Sequence, residues 1–170
     1  RAYGDYGEVV NRNQQLLRET RRLREAATTD ALTNVMNRRA LDAALASSWD
    51  SYDREGRAFG VIMCDVDHFK RVNDSLGHAA GDEVLAEVAR VLHKGLRGGD
   101  LFGRWGGEEF IAIVDTGSET TLGDVAERLR SLISRERPCG IDVTVSFGAA
   151  VSKRFATLGD LLVSADRALY

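Results

Sequence analysis

FGVIMCDVDHF, residues 59–69, reads as a strand with no polar face: an unbroken apolar run that ends in Asp65 and Asp67. A continuous run of this kind suits a central strand covered on both sides. Side chains two apart on a strand face the same way. A hydrophobic strand has no packing use for acids at its end, whereas a divalent cation does. Downstream, GDEVLAEVARVLHKGL (81–96) places Val84, Leu85, Val88, Val91 and Leu92 on one stripe of an amphipathic helix. LFGRW and EEFIAIV straddle Gly106-Gly107 and read as a hairpin. A helix over about 119–134, a strand within GIDVTVSFGAAV (140–151) and a last helix starting near Thr157 complete the C-terminal half. Upstream, ALTNVMNRRALDAALASSWDSYDREG (31–56) gives a turn and then a helix with Leu41, Ala44, Leu45, Ser48 and Trp49 on one side.

The order strand, helix, hairpin, helix, strand predicts an α/β (α+β) sandwich. Helices flank a mixed, at least partly antiparallel central sheet, on the split βαβ or ferredoxin-like plan of polymerase palms and nucleotide cyclases. Residues 30–170 carry this pattern and residues 1–29 do not. GEVVNRNQQLLRETRRLREAAT (7–28) is dense in helix formers, with Val9, Leu16 and Leu23 seven apart and Asn13, Thr20 and Ala27 as the paired positions. The segment reads either as a parallel coiled coil or as a single solvated helix packed on its own domain.

The whole is 170 residues, 44% hydrophobic and 29% charged, the mix of an ordinary globular domain plus an extension. A net charge of -3 argues against a surface built to grip nucleic acid. No apolar run approaches the roughly 20 residues of a membrane span. The two cysteines, Cys64 and Cys139, form no disulfide framework and fit a reducing compartment. A start at Arg1 without initiator Met or signal peptide reads as a piece of a longer polypeptide.

The polar residues near the strand end carry the chemistry. Asp65 and Asp67 close the strand, and the hairpin brings Glu108 and Glu109 just past its glycines. Adjacent strand residues point to opposite faces, so one glutamate joins Asp65 unless the turn distorts the strand, and Glu108, nearest the turn, is assigned to the shared site. Hard oxygen donors without cysteine or an organised histidine set point to Mg²⁺ or Mn²⁺ bound partly by substrate phosphates. The competing reading is exposed acids capping strands and turns. Lys70 can hold phosphate as a point charge. Asn73 and Asp82 offer the donor and acceptor pattern of a guanine edge, and helix capping is their alternative duty. His68, His78 and His93 show no metal-ligand spacing and read as structural.

DALTNVMNRR (30–39), DVDHFKRVNDSLGHAAGDEVL (65–85), RWGGEEF (104–110), VTVSFGAA (143–150) and SADRALY (164–170) occur in this order. Together they resemble the GGDEF domain, the bacterial diguanylate cyclase family, in its GGEEF variant, over nearly all of 30–170. The resemblance implies that Asp65, the Val66 carbonyl and Glu108 coordinate Mg²⁺ or Mn²⁺, two ions per half-site, with Glu109 contributing to the second. It implies that Glu108 helps deprotonate the ribose 3′-hydroxyl, that Asn73 and Asp82 read guanine, and that Lys70 and the main chain around Phe69 hold phosphates. Two domains of a homodimer, each with one GTP, would face each other to form cyclic di-GMP and pyrophosphate in a bacterial cytoplasm, as the cytosolic part of a larger or membrane-anchored protein. The helix of residues 1–29 would then link an upstream sensory or receiver domain. RGGD (97–100) resembles the family's product-inhibition motif, carried by Arg97 and Asp100 with Arg104; its bland alternative is a helix stop at Gly98 followed by a turn. Three departures stand out. Asn34 replaces a usual glycine, and if that position needs positive φ, asparagine is the least costly substitute. Ser164 replaces a common arginine, and the sequence stops at Tyr170, before the tail whose lysine commonly contacts phosphate. Other readings of the same residues are a degenerate nucleotide sensor, a structural dimerisation module, and a different nucleotidyl cyclase or palm-type polymerase.

Overall fold

The computed structural model describes residues 2–169, with side chains described from residue 7 onward, so Tyr170 of the last motif lies outside the described residues. The elements in chain order are α1 (Ala2–Thr28), α2 (Arg38–Glu55), β1 (Gly60–Val66), α3 (Phe69–Leu76), α4 (His78–Lys94), β2 (Leu101–Gly106), β3 (Glu109–Val114), α5 (Glu119–Glu136), β4 (Val145–Val151) and α6 (Leu158–Arg167). The four strands form one sheet in the order β2-β3-β1-β4. Each pairing is antiparallel. The crossover from β1 to β2 steps over one strand position, and the returning hairpin strand β3 fills it. The parallel component is confined to an isolated bridge between Met36 and Gly103.

The period of two in β1 sorts its side chains between two cores. Ile62, Cys64 and Val66 pack with Val84, Leu85, Val88 and Leu92 of α4 and with Leu122, Leu129 and Ile133 of α5. Val61 and Met63 pack on the other face with Leu41 and Leu45 of α2 and Leu161 and Ala165 of α6. Burial on both faces is why the run has no polar side, and each fully buried aliphatic side chain contributes about 1.5–3 kcal/mol. The stripe assigned to α4 is buried as expected.

Local signals set most helix ends. Asn37 caps α2 by accepting from the Ala40 N–H at 2.9 Å. Gly56 ends α2 in the left-handed region at φ 70°. Ser118 and Thr157 accept from Thr121 N–H and Asp160 N–H at the starts of α5 and α6.

Four features differ from the sequence reading. A separate helix, α3, stands between β1 and α4, and α4 begins at His78. The fourth strand begins at Val145: a 3₁₀ turn at Pro138–Gly140, with Cys139 at φ 55° and Gly140 at φ 72°, is followed by a tight turn in which Val143 N–H donates to the Ile141 carbonyl at 3.0 Å. The stop of α4 is Gly95, not Gly98. A Cβ at Gly95 would lie 2.6 Å from methyl groups of Leu129 and Leu132, so α5 approaches α4 closely at this point. Residues 7–26 of α1 are exposed throughout, so this helix does not pack on its own domain.

α1 is nevertheless tied down at its C-terminal end. The Asn37 Nδ2 and Arg39 Nη2 groups donate to the Ala27 carbonyl at 3.1 and 2.7 Å, and the Asn37 N–H donates to the Thr28 carbonyl at 2.9 Å. Beyond this junction, Met36 lies along β2: its N–H donates to the Phe102 carbonyl at 3.2 Å and its carbonyl accepts from Arg104 N–H at 2.8 Å. A Cβ at Gly103 would meet the Met36 carbonyl at 2.5 Å, so glycine permits this contact. Among the described residues, no helix is long and apolar enough to cross a membrane.

Candidate active site

The central strand delivers Asp65 to its C-terminal end, where the register places Glu109 of β3 directly opposite it. The hairpin is irregular beside this point. Arg104 pairs with Phe110 and Gly106 with Glu109, which leaves Trp105 as the extra residue of a β-bulge. Gly107 takes φ 32°, and Glu108 lies in the turn rather than in β3. Strict alternation therefore does not govern Glu108. Its carbonyl accepts from the Val66 N–H at 3.2 Å, which lays it beside the end of β1. The turn distortion brings Glu108 and Glu109 together around Asp65.

The electrostatics follow from this crowding. Burial, then the charges of Glu108, Glu109 and Asp67, push the Asp65 carboxyl up to about 6. Asp67 is differently placed. Its oxygens accept from Thr144 Oγ1 and Ser146 Oγ, both at 2.6 Å, and its N–H donates to the Thr144 carbonyl at 2.9 Å. It is engaged by β4, while Asp65 is surrounded by like charge.

Among the described residues, no three His, Cys, Asp or Glu side chains are arranged to close on a metal ion by themselves. The donor chemistry nonetheless fits a hard divalent cation completed by phosphate oxygens. Asp65 is a raised carboxyl among carboxylates, and positive charge supplied from outside would relieve that repulsion.

Past Asp67 the chain turns into α3 within two residues because His68 adopts the left-handed conformation at φ 54°. This places buried Phe69 and exposed Lys70 at the start of α3, beside the acids. Asn73 approaches α4 at Gly81, the residue before Asp82. A Cβ at Gly81 would sit 1.8 Å from Asn73 Oδ1 and 3.2 Å from the Phe69 ring, so the carboxamide lies over the bare backbone of α4 next to Asp82. A glycine inside an otherwise helical pattern is the signal that could have found it. The capping duty falls away, since the cap residues of α3 and α4 are His68 and Gly77. An open groove of about 870 Å³ lies between the turn of residues 32–35 and α4, lined by Leu32, Thr33, Glu83, Glu87, Arg90 and His93 among others; Asp82 is not part of its lining.

The turn of residues 30–36 braces the hairpin. Asp30 accepts from Thr33 Oγ1 at 2.7 Å and Thr33 N–H at 3.0 Å, and Arg104 Nη1 lies 3.3 Å from it. Partial burial opposes its ionisation, but the Thr33 hydrogen bonds and Arg104 hold its carboxyl below the usual range. Asn34 adopts φ 57°, the positive-φ conformation that explains asparagine in a glycine position.

The RGGD segment is closed by its own residues. Asp100 Oδ2 accepts from Arg97 N–H at 2.9 Å while Asp100 N–H donates to the Arg97 carbonyl at 3.0 Å. Arg97 is exposed, and a cavity of about 200 Å³ lined by Ser48, Ser51, Arg57, Gly99 and Asp115 adjoins the turn. Arg104 is not gathered with Arg97 and Asp100. It lies toward the opposite end of β2, where Nε donates to the Gly107 carbonyl at 2.9 Å and Nη1 faces Asp30.

Residues 27–170 match the family described as "Diguanylate cyclase, GGDEF domain", and the chain belongs to this family. It is 36% identical over 161 residues to the probable diguanylate cyclase DgcC of Escherichia coli, covering 92% of this chain and 43% of that protein. It is 36% identical over 153 residues to the diguanylate cyclase DgcP of Pseudomonas aeruginosa, covering 86% of this chain and 22% of that protein. The chain thus spans less than half the length of these relatives. Among solved structures, the coiled coil and GGDEF domain of DgcB from Caulobacter crescentus, in complex with c-di-GMP, superposes with a TM-score of 0.86 at 29% identity, covering 98% of this chain and 91% of that one. Diguanylate cyclase SiaD of Pseudomonas aeruginosa, in complex with its activator SiaC, gives a TM-score of 0.78 at 37% identity, covering 99% and 67%.

Proposed function

We propose that this chain is the catalytic half-site of a diguanylate cyclase that condenses two GTP into cyclic di-GMP and two pyrophosphates. The observation that carries the reading is Asp65, delivered by the central strand into a group of carboxylates on the bulged hairpin, with its carboxyl pushed up to about 6. Asp65, the Val66 carbonyl, Glu108 and Glu109 hold Mg²⁺ or Mn²⁺, two ions per half-site. When bound, the metal lowers the pKa of the attacking hydroxyl and takes up charge at the α-phosphorus. Glu108 accepts the proton of the ribose 3′-hydroxyl. Lys70 and the main chain at Phe69 hold the β- and γ-phosphates, and Asn73 and Asp82 pair with the guanine edge.

Ring closure needs two half-sites. Each 3′-oxygen forms a bond to the α-phosphorus of the opposite GTP as the bond to pyrophosphate breaks. Facing domains supply the alignment that the bimolecular reaction lacks. Supporting a homodimer, Val9, Leu16 and Leu23 are 58%, 53% and 67% exposed on α1 with no cover from their own domain. Their partner in this reading is the same face of a second copy, in a coiled coil that carries the signal of an upstream sensory or receiver domain. Exposed Arg97, with Asp100, takes cyclic di-GMP as a feedback inhibitor, and Arg104 joins this set only by leaving Asp30.

The test is chromatographic product analysis with GTP and Mg²⁺ over a series of protein concentrations, with Glu108→Ala beside it. Cyclic di-GMP that rises faster than linearly with protein and is absent in the variant supports the reading. Product that is linear in protein while the chain runs as a monomer on a sizing column across the same series overturns the dimer, and product retained in the variant removes Glu108 from its role. ATP that competes as well as GTP overturns the guanine assignment.

A further inference from the structure

The turn that carries Glu108 and Glu109 is poorly constrained by its own sequence. It contains two consecutive glycines, and the ladder on its β2 side is broken by the bulge at Trp105. Its carbonyls are held by two arginines, Arg104 from within the hairpin and Arg38 from α2. Arg104 Nε donates to the Gly107 carbonyl at 2.9 Å, and Arg38 Nη1 donates to the Trp105 carbonyl at 3.1 Å. The Arg38 guanidinium also lies over the Trp105 indole, 3.1 Å from the ring centroid, and its Nε is 3.4 Å from Asp42 Oδ1.

The location of Arg38 makes these contacts informative. It is the first residue of α2, which is fixed by the Asn37 cap and by Leu41 and Leu45, fully buried in the core. A planar guanidinium can lie on a ring and donate to a carbonyl at once, which a lysine ammonium cannot do with the same geometry. The Arg38–Asp42 pair is exposed and four residues apart on one helix, a contact of little consequence by itself. The grip on residue 105 joins a rigid helix to the flexible turn.

We infer that Arg38 is a positioning residue: by gripping the indole and carbonyl of Trp105 it fixes the Gly106-Gly107 turn and so sets the reach of Glu108 and Glu109 toward Asp65. This rests on the proposed cyclase activity for its kinetic consequence, but not for its structural one. A turn released from α2 leaves the substrate contacts on α3 and α4 in place and misplaces the glutamates, and small displacements of reacting groups have large rate effects.

The experiment compares Arg38→Ala, Arg38→Lys and Asp42→Ala with the unaltered chain by steady-state kinetics with GTP. Hydrogen exchange of residues 105–109, measured without nucleotide or metal, runs alongside. Arg38→Ala is expected to lower kcat about tenfold with the KM for GTP within about twofold, and to speed exchange in the turn. Arg38→Lys should recover only part of both effects, and Asp42→Ala should change neither. An unchanged kcat in Arg38→Ala overturns the proposal, as does a loss expressed only in KM. If the unaltered chain makes no cyclic di-GMP, the cyclase reading has failed separately and exchange alone decides: unchanged protection of the turn in Arg38→Ala overturns the role of Arg38.

Discussion

Strand β2 runs between two Gly-Gly turns, and each turn combines arginine with acid, yet they are built in opposite ways. In the turn of residues 97–100, Asp100 and Arg97 satisfy one another through backbone and carboxylate, so the segment closes on itself. In the turn of residues 105–108, the backbone carbonyls are held by Arg38 and Arg104, and the Arg104 fork is in turn engaged by Asp30. Glu108 and Glu109 receive no such partner and repel Asp65. The Asp100 carboxylate is already engaged, by Arg97 N–H and by Asp115 N–H, and leaves the exposed Arg97 side chain as the group that turn offers a ligand, whereas Glu108 and Glu109 offer their carboxylates. Asp65 and Asp67 repeat the contrast two residues apart, one crowded by like charge and one satisfied by two hydroxyls.

The contrast breaks most visibly at Glu108. Glu108→Ala should lower kcat about 10²–10⁴-fold, the usual contribution of a positioned general base, with an unchanged circular dichroism spectrum. Retention of most of the turnover would place the base elsewhere. Next in size is guanine recognition. Asp82→Ala should reduce the preference for GTP over ATP by about 1–3 kcal/mol, the penalty for leaving a buried base edge unpaired. Competition binding checks it, and an unaltered ratio would remove Asp82 from the guanine site.

Asp65 sharpens the comparison through stability. Burial and the neighbouring carboxylates raise its folded pKa to about 6, above the ordinary aspartate value of 3.8. The stability this group contributes is therefore complete below about pH 4 and lost as pH rises through about 6. Asp65→Asn should stabilise the metal-free protein at pH 7.5 by about 1 kcal/mol, discounted for solvent screening because the carboxylate is only partly buried. The gain should vanish below pH 4, and thermal unfolding in chelator at both pH values checks it. A pH-independent gain would mean that packing, not charge, is responsible. The smallest effect belongs to the self-closed turn: Arg97→Ala should delay the plateau of product formation severalfold by weakening cyclic di-GMP binding. A plateau reached as early as before would confine this turn to its structural role.

How much of this was legible in the sequence depends on the range of the determining contact. β1, the hairpin and the stripe of α4 follow from local periodicity, and the starts of α2, α5 and α6 fall at side-chain caps. Asn34 was legible only through the family resemblance, as the least costly stand-in for glycine if the position needs positive φ, and its φ of 57° meets that condition. α3 was not, since FKRVNDSL offers no sustained apolar period and its start depends on the left-handed turn at His68. Ile141 and Val143 extend the alternation of β4 into residues outside the sheet, where Val143 N–H turns back to the Ile141 carbonyl. The acids were legible by type and spacing. Their supports were not: Arg38 reaches Trp105 across 67 positions and Arg104 reaches Asp30 across 74, and no local pattern announces either contact.

The backbone contact between Met36 and β2 has a consequence for colloidal behaviour. β2 is an edge strand, and an open edge is a template on which another chain can add. By occupying the Phe102 carbonyl and the Arg104 N–H, Met36 withholds those groups from an incoming strand. That seal depends on residue 103 having no side chain, so a bulky substitution at Gly103 would expose a pairing edge and favour aggregation while leaving every proposed catalytic side chain in the sequence.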